Sequence, residues 1–400
     1  MNIIFLTVSR IKDITSRGIY TDLMRKFRDE GHQVYIVTPY ERQYGLASCL
    51  KKEEGIHMLG VKTLNIQKTS IVEKGIGTVL LESQFKSAIK KYLKDVSFDL
   101  ILYSTPPITF TNVVKYLKKK NPLAVTYLLL KDIFPQNAVD LEMFSKQSIF
   151  YWYFRQKEIT LYKCSDYIGC MSPANVNFIL AHNNFIDKTK VELAPNSIAL
   201  VESDLNVDVD EVRKKYNLPV NKPIFIYGGN LGKPQGIDFL IQCLHENKER
   251  TDCYFLIVGS GTEYCKLEEW YARNSPINLL ILNSLPKKEY DELVQSCDVG
   301  LIFLDHRFTI PNYPSRLLSY LEYKMPIIAA TDVNTDIGDI AEENGYGYRC
   351  DSTNVSDFTL CIDRLLENPN KISDMGKKGY QFLKDNYLID ITYNTIINHV

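Results

Sequence analysis

A run of glycines with one lysine is the first segment whose residue types could do chemistry. The run is 228–236 (GGNLGKPQG), and it follows an apolar strand pattern and precedes a helical one. Glycines let a backbone approach a phosphate, a helix N-terminus favours an anion, and Lys233 adds a positive charge. The spacing matches neither G-x-G-x-x-G nor a Walker A loop. We therefore predict a phosphate-binding loop that uses Gly229, Asn230 and Lys233; the alternative is a tight turn that is rich in glycine for steric reasons.

Two other helix starts could hold an anion. Arg17 and Gly18 precede the helical pattern at 19–30, although one glycine before a helix is common. In 311–316 (PNYPSR), the prolines stiffen the entry to a second helix, Ser315 is a suitable N-cap, and Arg316 could bind a phosphate through two nitrogens. The first residues of that helix, including Leu317 and Ser319, complete this candidate site. The alternative is an ordinary capped helix.

Polar residues also follow the apolar strand pattern LAVTYLLL directly. They form the segment 131–137 (KDIFPQN), with Lys131, Asp132, Gln136 and Asn137 as its polar members. Because the end of such a strand meets the ligand side of a parallel sheet, we predict a binding role for them. An exposed loop is the alternative.

The elements that must position these loops alternate between short apolar runs and helical periods. The pattern predicts parallel, doubly wound α/β sheets in tandem, with a linker at 201–222 and a ligand cleft between the two halves. The predicted organisation is an N-terminal Rossmann-like domain at 1–200, a second at 201–380, and a C-terminal helix at 381–400 that packs back on the first domain.

Composition excludes several function classes. The 400 residues carry a net charge of −1, so nothing indicates a nucleic-acid partner. Nine cysteines without C-x-x-C spacing, and histidines and carboxylates without a ligand pattern, predict neither a disulfide framework nor a metal site. No apolar run is long enough to span a bilayer, so we expect a cytoplasmic protein that reaches lipid-linked material from outside. The run Lys118-Lys119-Lys120 and the aromatic run 150–154 (FYWYF) are candidates for that contact; a solvated face and a core segment are the alternatives.

The chain resembles the family 4 glycosyltransferases of GT-B fold, and more closely the bacterial branch that builds capsule, exopolysaccharide and O-antigen repeats. Five segments carry the resemblance in order: RGIYTDL, KDIFPQNAVDL, YGGNLGKPQGIDFLI, VGSGTEYCKLE and PSRLLSYLEYKMPIIAAT. The resemblance implies two Rossmann-like domains that face a cleft, with the nucleotide-sugar donor held by the C-terminal half and the acceptor by the N-terminal half. It also implies that the last segment, 387–400, packs on the first domain.

The chain departs from the family pattern at several positions. Many members carry two glutamates separated by seven residues, and the corresponding positions here are Pro311 and Ser319; either Ser319 or Glu322, one turn later, would bind the donor ribose. Asn230 and Gln235 stand where many members have an arginine and a lysine, so the resemblance leaves Lys233 as the substitute cation. Asp132 stands where a histidine is common, and it would either be catalytic or only position the acceptor.

The resemblance implies a retaining transferase that uses a nucleotide-diphosphate sugar, with uridine as the expected base, and needs no metal. Lys233, Arg316 and Asp132 would be catalytic, and the Gly18 loop, Asn230 and the amides near Ser315 would help hold the donor. The acceptor would be a sugar or a polyprenyl-diphosphate-linked oligosaccharide at the cytoplasmic face of the membrane, contacted peripherally. Two alternatives stay open: a nucleotide-sugar 2-epimerase of the same fold, and a non-catalytic partner subunit.

Overall fold

The chain is divided into two compact units. The computed structural model describes residues 1–66, 69, 71–200, 207–368 and 370–400. Unit 1 comprises Met1–Ala199 and Leu388–Val400, and unit 2 comprises Leu200–Tyr387. Part of the predicted linker, 201–206, lies outside the described residues.

The described residues include fourteen strands, eight in unit 1 and six in unit 2. Those of unit 1 are β1 (Asn2–Leu6), β2 (Gln33–Glu41), β3 (Cys49–Glu53), β4 (Ile56–Thr63), β5 (Leu100–Ser104), β6 (Val125–Leu130), β7 (Tyr167–Cys170) and β8 (Val191–Leu193). Those of unit 2 are β9 (Ile224–Asn230), β10 (Tyr254–Ser260), β11 (Leu279–Leu282), β12 (Val299–Phe303), β13 (Ile327–Thr331) and β14 (Gly347–Asp351).

Helices connect the strands in both units. The first six are α1 (Ile19–Asp29), α2 (Ile71–Tyr92), α3 (Thr111–Lys120), α4 (Gln136–Asp140), α5 (Ile149–Cys164) and α6 (Pro173–His182). Unit 2 contains α7 (Val209–Lys215), α8 (Ile237–Glu246), α9 (Tyr264–Asn274), α10 (Lys287–Gln295), α11 (Arg316–Glu322), α12 (Ile337–Glu343), α13 (Val355–Leu366) and α14 (Lys371–Asn386). The last helix, α15 (Ile389–Ile397), belongs to unit 1.

Unit 1 is built on an eight-stranded sheet with the order β3-β4-β2-β1-β5-β6-β7-β8. Its strands are parallel except β3, which pairs antiparallel with β4 as an edge hairpin that the sequence patterns did not indicate. Ile4 of β1 lies opposite Tyr35 of β2 and Ile101 of β5. The chain therefore reverses its direction of winding between β1 and β5, which is where open α/β sheets bind ligands.

Unit 2 is built on a six-stranded parallel sheet with the order β11-β10-β9-β12-β13-β14. This is the doubly wound order of a Rossmann fold, with the reversal between β9 and β12. Phe225 of β9 lies opposite Phe255 of β10 and Val299 of β12. The strands read as almost continuous apolar runs because both faces of the sheet are covered by helices.

Helix α7 lies near the start of unit 2, and helix α15 follows the end of unit 2. The predicted linker is wrong for 209–215, because this segment is α7 and its Arg213 is buried, donating to Ser296 O and to the Asp298 carboxylate at 2.8 Å each. After unit 2 ends, α15 returns to unit 1, where Tyr393 packs edge-on against Phe27 of α1 with ring centroids 5.0 Å apart.

Candidate functional site

In unit 2, Arg316 lies beside Gly229 at the carboxyl ends of β12 and β9. A Cβ added to Gly229 would lie 3.5 Å from the Arg316 guanidinium carbon, and Gly229 has a φ of 132°, which favours glycine. The side chain of Arg316 forms no ion pair with any carboxylate in the described part of the chain, and its Nη1 is buried without a hydrogen-bond partner. The two predicted site residues thus lie side by side, and the guanidinium has a nitrogen that could donate a hydrogen bond to an anion.

Three tyrosines surround this guanidinium. Its carbon lies 4.5 Å from the centroid of the Tyr227 ring, a cation–π contact. The hydroxyl of Tyr320 accepts from the Gly228 amide at 3.2 Å, and a Cβ on Gly228 would come within 1.8 Å of the Tyr290 hydroxyl. Burial raises the pKa of all three tyrosines, so they are neutral and do not cancel the charge of Arg316.

The glycine-rich loop is held by its own polar side chains. Asn230 Nδ2 donates to Gln235 Oε1 at 2.9 Å, and the Gly232 amide donates to the same oxygen at 3.3 Å. The Tyr227 hydroxyl donates to Asn230 O at 2.6 Å, which ties the loop to the tyrosine whose ring lies under the Arg316 guanidinium. Lys233 is exposed, and its ammonium has no partner among the residues that the structure describes.

The start of α11 differs from the expected cap. Ser315 precedes the helix, but its backbone is helical, with φ −66° and ψ −14°, and its side chain forms no capping hydrogen bond. The first turn is closed by the Leu317 amide, which donates to Pro314 O at 3.3 Å. The amides of Ser315 and Arg316 take no part in this hydrogen bond. The half-buried side chain of Ser319 lies one helical turn after Arg316, and Glu322 one turn further.

In unit 1, Asp132 lies in the loop after β6. Its carboxylate accepts from Asn137 Nδ2 at 2.7 Å, while its amide donates to Thr105 Oγ1 at 3.1 Å. Burial raises the pKa of Asp132 to about 6, although the bond from Asn137 opposes the shift. Burial, with a smaller contribution from the Asp132 charge, raises the pKa of Tyr20 to about 12. This carboxyl group can therefore exchange a proton near neutral pH.

Lys131 does not pair with its neighbour Asp132, as a dense polar cluster would suggest. Its ammonium donates to Ala194 O at 3.1 Å, and burial lowers the pKa of Lys131 to about 7. Gln136, also predicted here, donates to Asp140 at 2.7 Å. The segment is thus a loop held by hydrogen bonds, in which the neighbouring side chains of Lys131 and Asp132 have different partners.

The Gly18 loop is partly occupied by protein groups. The Gly18 amide donates to the Asp22 carboxylate at 3.1 Å, and Arg17 donates to Ala199 O at 3.3 Å. Asp22 is buried and also accepts from Arg25 at 2.6 Å, so it is held in the first turn of α1. The proposed donor contact of Arg17 and Gly18 stays a prediction.

Two of the three consecutive lysines at the end of α3 have structural partners. Lys118 donates to the Asp166 carboxylate at 2.9 Å, and Lys120 donates to carbonyls at the end of α2, including Val96 O at 2.9 Å. Of this run, only Lys119 is exposed. The three lysines therefore do not act together as one basic face.

Sequence reasoning missed the tyrosines around Arg316 and also Tyr20. Tyr320 is four residues after Arg316 on α11, so helical spacing alone places both on one face. Tyr290 carries no such signal, because only the packing of α10 against β9 brings it to Gly228.

In the described part of the chain, no three His, Cys, Asp or Glu side chains form a group that could hold a metal ion. The described helices include none that is both long and apolar enough to cross a membrane.

Curated proteins with similar sequences are named as glycosyltransferases. The chain is 24% identical to the probable glycosyltransferase WbjE of Pseudomonas aeruginosa over 267 residues, 65% of this chain and 64% of WbjE. The match thus spans less than two thirds of WbjE. The chain is also 24% identical over 364 residues to the putative colanic acid biosynthesis glycosyl transferase WcaI of Escherichia coli (strain K12), which is 86% of each chain.

Solved structures with the same fold include a sucrose-phosphate synthase and a protein bound to UDP and glucose. Sucrose-phosphate synthase from Thermosynechococcus elongatus has a TM-score of 0.78 at 15% identity, covering 99% of this chain and 97% of that one. Anabaena HepE, solved in complex with UDP and glucose, has a TM-score of 0.71 at 14% identity, covering 100% and 99%.

These likenesses confirm the predicted fold class. Each unit has the α/β architecture of the GT-B glycosyltransferases. The model of the family described as "Glycosyl transferases group 1" matches residues 208–382, which lie in unit 2 and include the Arg316 site. The similarity to this family thus covers most of unit 2, including Arg316 and the glycine-rich loop.

Proposed function

We propose that this protein transfers a sugar from a nucleotide-diphosphate sugar, with UDP as the carrier, to a sugar or lipid-linked oligosaccharide in bacterial surface polysaccharide synthesis. The match to the group 1 glycosyltransferase model supports the reaction class, and the UDP complex of the structural neighbour HepE supports the carrier. The name of the relative WcaI, which refers to colanic acid biosynthesis, supports the pathway.

One observation carries the proposal: the half-buried Arg316 side chain beside Gly229, whose Nη1 is buried without a hydrogen-bond partner and which has no carboxylate partner in the described residues. Withdrawing a guanidinium nitrogen from water without a counter-ion is costly, and an anionic ligand removes the cost. The planar fork of arginine matches the oxygens of a phosphate, and the missing Cβ of Gly229 leaves room for one to approach. A diphosphate at the end of β9 is the ligand that fits both features.

We assign the neighbouring groups of unit 2 to the same task. The exposed ammonium of Lys233 and the amides of Ser315 and Arg316 would share the charge of the diphosphate with the Arg316 guanidinium. That charge grows as the bond from the sugar C1 to the phosphate oxygen breaks, so these groups stabilise the transition state more than the bound donor. Ser319 or Glu322 would bind the ribose, one or two turns along α11.

We propose that the transfer retains the configuration at C1. The acceptor hydroxyl attacks on the face from which the phosphate leaves, the new C1–oxygen bond forms there, and the departing phosphate oxygen takes the hydroxyl proton. Asp132 of unit 1 would orient the acceptor hydroxyl through its carboxylate, which Asn137 holds at 2.7 Å. Lys131, Gln136 and Asn137 would line the acceptor side of that loop.

A panel of nucleotide sugars tests the proposal against its alternatives. The purified full chain is incubated with UDP-, GDP- and dTDP-sugars, with and without acceptor extracts, and the products are resolved by mass spectrometry and NMR. Transfer, or slow hydrolysis of one donor with release of UDP and an α-configured product, supports the proposal. Isomerisation of the donor would identify a 2-epimerase. Neither reaction, for any donor, would point to a non-catalytic partner subunit.

A further inference from the structure

Large apolar side chains are exposed on two helices of unit 1. Ile149, Phe150 and Trp152 at the start of α5 are 75%, 64% and 64% exposed. On the same turn, Phe154 packs on Phe134 with ring centroids 5.0 Å apart. The side chains of Ile149, Phe150 and Trp152 stay mostly in solvent, so burial within unit 1 does not explain them.

A second exposed apolar group lies on α2. Ile76, Val79 and Leu80 are each more than two-fifths exposed. Lys157 of α5 forms an ion pair with Glu82 of α2 at 3.2 Å, and Val79 lies one turn before Glu82. Both apolar groups therefore lie on helices that are joined by this ion pair and that pack on α3.

Lysines continue the same faces. On α2, the exposed positions at three- and four-residue spacing after Leu80 lead to Lys90, and the half-buried Lys86 lies one turn before it. The ammonium groups of Lys86 and Lys90 lie 5.6 and 5.2 Å from the Tyr116 ring of α3. Lys115 of α3 lies beside Tyr116 in the sequence and is exposed, as is Lys119 one turn later. None of these four lysines forms an ion pair with a carboxylate in the described residues.

We propose that these residues form an interfacial surface that binds an anionic lipid bilayer. The surface is defined by Ile76, Val79, Leu80, Ile149, Phe150 and Trp152, with Lys86, Lys90, Lys115 and Lys119. The apolar side chains enter the boundary between headgroups and acyl chains, where tryptophan is favoured, and the lysines meet the lipid phosphates. The unpaired lysines favour lipid over a second copy of this chain, because two copies of the same basic face repel each other.

The two tryptophans of the chain allow a direct test. Trp152 lies on the interfacial surface, whereas Trp270 lies in unit 2 on α9. With Trp270→Phe, the emission of Trp152 is expected to shift to shorter wavelength on vesicles of phosphatidylcholine and phosphatidylglycerol. With Trp152→Phe, the remaining Trp270 is expected to give no shift on the same vesicles.

Flotation of the full chain with the same vesicles tests the roles of the two residue types. Phe150→Ser with Trp152→Ser should weaken binding at least about tenfold, and Lys86→Glu with Lys90→Glu should remove the preference for phosphatidylglycerol over phosphatidylcholine alone. Ile277→Ser is the matched control, because Ile277 is 62% exposed in unit 2. Circular dichroism verifies that each variant is folded.

Three results would overturn the inference. They are no flotation of the wild-type chain, flotation that the surface variants leave unchanged, and a wild-type dimer in solution that the Phe150 and Trp152 variant dissociates. The measurements use neither donor nor acceptor, so the outcome is independent of the proposed transfer reaction.

Discussion

Arg316 of unit 2 and Lys131 of unit 1 are both half-buried basic side chains near the carboxyl end of a strand, and the protein treats them in opposite ways. Arginine keeps its charge in any environment, so Arg316 remains a cation among neutral tyrosines. Within the described ranges, the Lys131 ammonium donates only to the Ala194 carbonyl, and burial lowers the pKa of Lys131 to about 7. Unit 2 thus holds a fixed positive charge, whereas the unit 1 loop holds groups that titrate near neutral pH.

The comparison suggests different tasks for the two loops. A fixed charge suits a ligand that is always anionic, such as a diphosphate. A carboxyl group whose pKa is raised to about 6, next to a lysine whose pKa is lowered to about 7, suits a neutral hydroxyl ligand.

The largest effect is expected for Arg316→Ala. If the Arg316 guanidinium binds the phosphate as proposed, loss of this charge-assisted bond should weaken UDP binding on the order of 100-fold or more, as measured by isothermal titration calorimetry. Arg316→Lys should recover only part of the loss, because an ammonium lacks the planar fork.

Arg364→Ala is the matched control for Arg316. Arg364 also lies over a tyrosine ring, Tyr348 at 3.8 Å, but it is close to the Glu342 carboxylate at 3.9 Å. UDP binding that falls equally in the two variants would contradict the role of Arg316.

Lys131→Met should stabilise unit 1 at neutral pH. Between pH 10.5 and about 7, the unfolded lysine holds a proton that the folded one has released, so stability falls as the pH falls through this window. At pH 7, the free energy of unfolding should be about 2–4 kcal/mol higher in the variant, less the bond to Ala194. Urea unfolding at pH 7 and pH 10 measures it, and an equal gain at both pH values would show that the charge is not the cause.

Asp132→Asn should have a smaller effect with the opposite dependence on pH. Between pH 3.8 and about 6, the folded carboxyl group keeps a proton that the unfolded one has lost, so stability falls as the pH rises. The variant should therefore gain about 2 kcal/mol above pH 6 and almost nothing below pH 4.

The activity of the Asp132 variant distinguishes its proposed role from a structural one. The wild-type rate of transfer should decline as the pH falls through about 6. Asp132→Asn should be slower above pH 6 and should lose this decline. A variant that keeps the wild-type pH profile would remove Asp132 from the acceptor site.

Lys233→Ala should show the smallest effect. Lys233 is exposed, so solvent screens its contact with phosphate, and UDP binding should fall roughly fivefold at low salt and less at high salt. Lys266→Ala on α9, half exposed and paired with Asp238 at 3.1 Å, is the control and should leave UDP binding unchanged. A loss of more than 100-fold for Lys233→Ala would make it, rather than Arg316, the main cation.

The fold could be predicted because parallel strands that are buried on both faces consist of almost uninterrupted apolar residues, which are visible in the sequence. Strand β9 and its glycine-rich end are an example, since Gly228 and Gly229 mark both a close approach and a strained backbone. The hairpin β3–β4 escaped prediction because β3 is mostly exposed and polar, with the sequence CLKKE. The helix α7 was mistaken for a linker because the buried ion pair of Arg213 forms with Asp298, which is distant in the sequence.

The candidate site could be predicted only in part. Arg316 and Gly229 follow from their positions after strands, but the tyrosines around Arg316 depend on packing, as Tyr290 on α10 shows. They also account for some of the 26 tyrosines in the chain. Sequence could not show that Ser315 leaves its capping bond unmade or that Lys131 turns away from Asp132, because both depend on local backbone geometry.

The most direct test of the central claim compares UDP with uridine as ligands of the wild-type protein and of Arg316→Ala. Isothermal titration calorimetry gives the four dissociation constants at one salt concentration. If Arg316 binds the diphosphate, the wild type binds UDP far more tightly than uridine, and the variant loses most of that difference while its affinity for uridine is unchanged. Equal affinities of the wild type for UDP and uridine, or an unchanged difference in the variant, would contradict the assignment of Arg316.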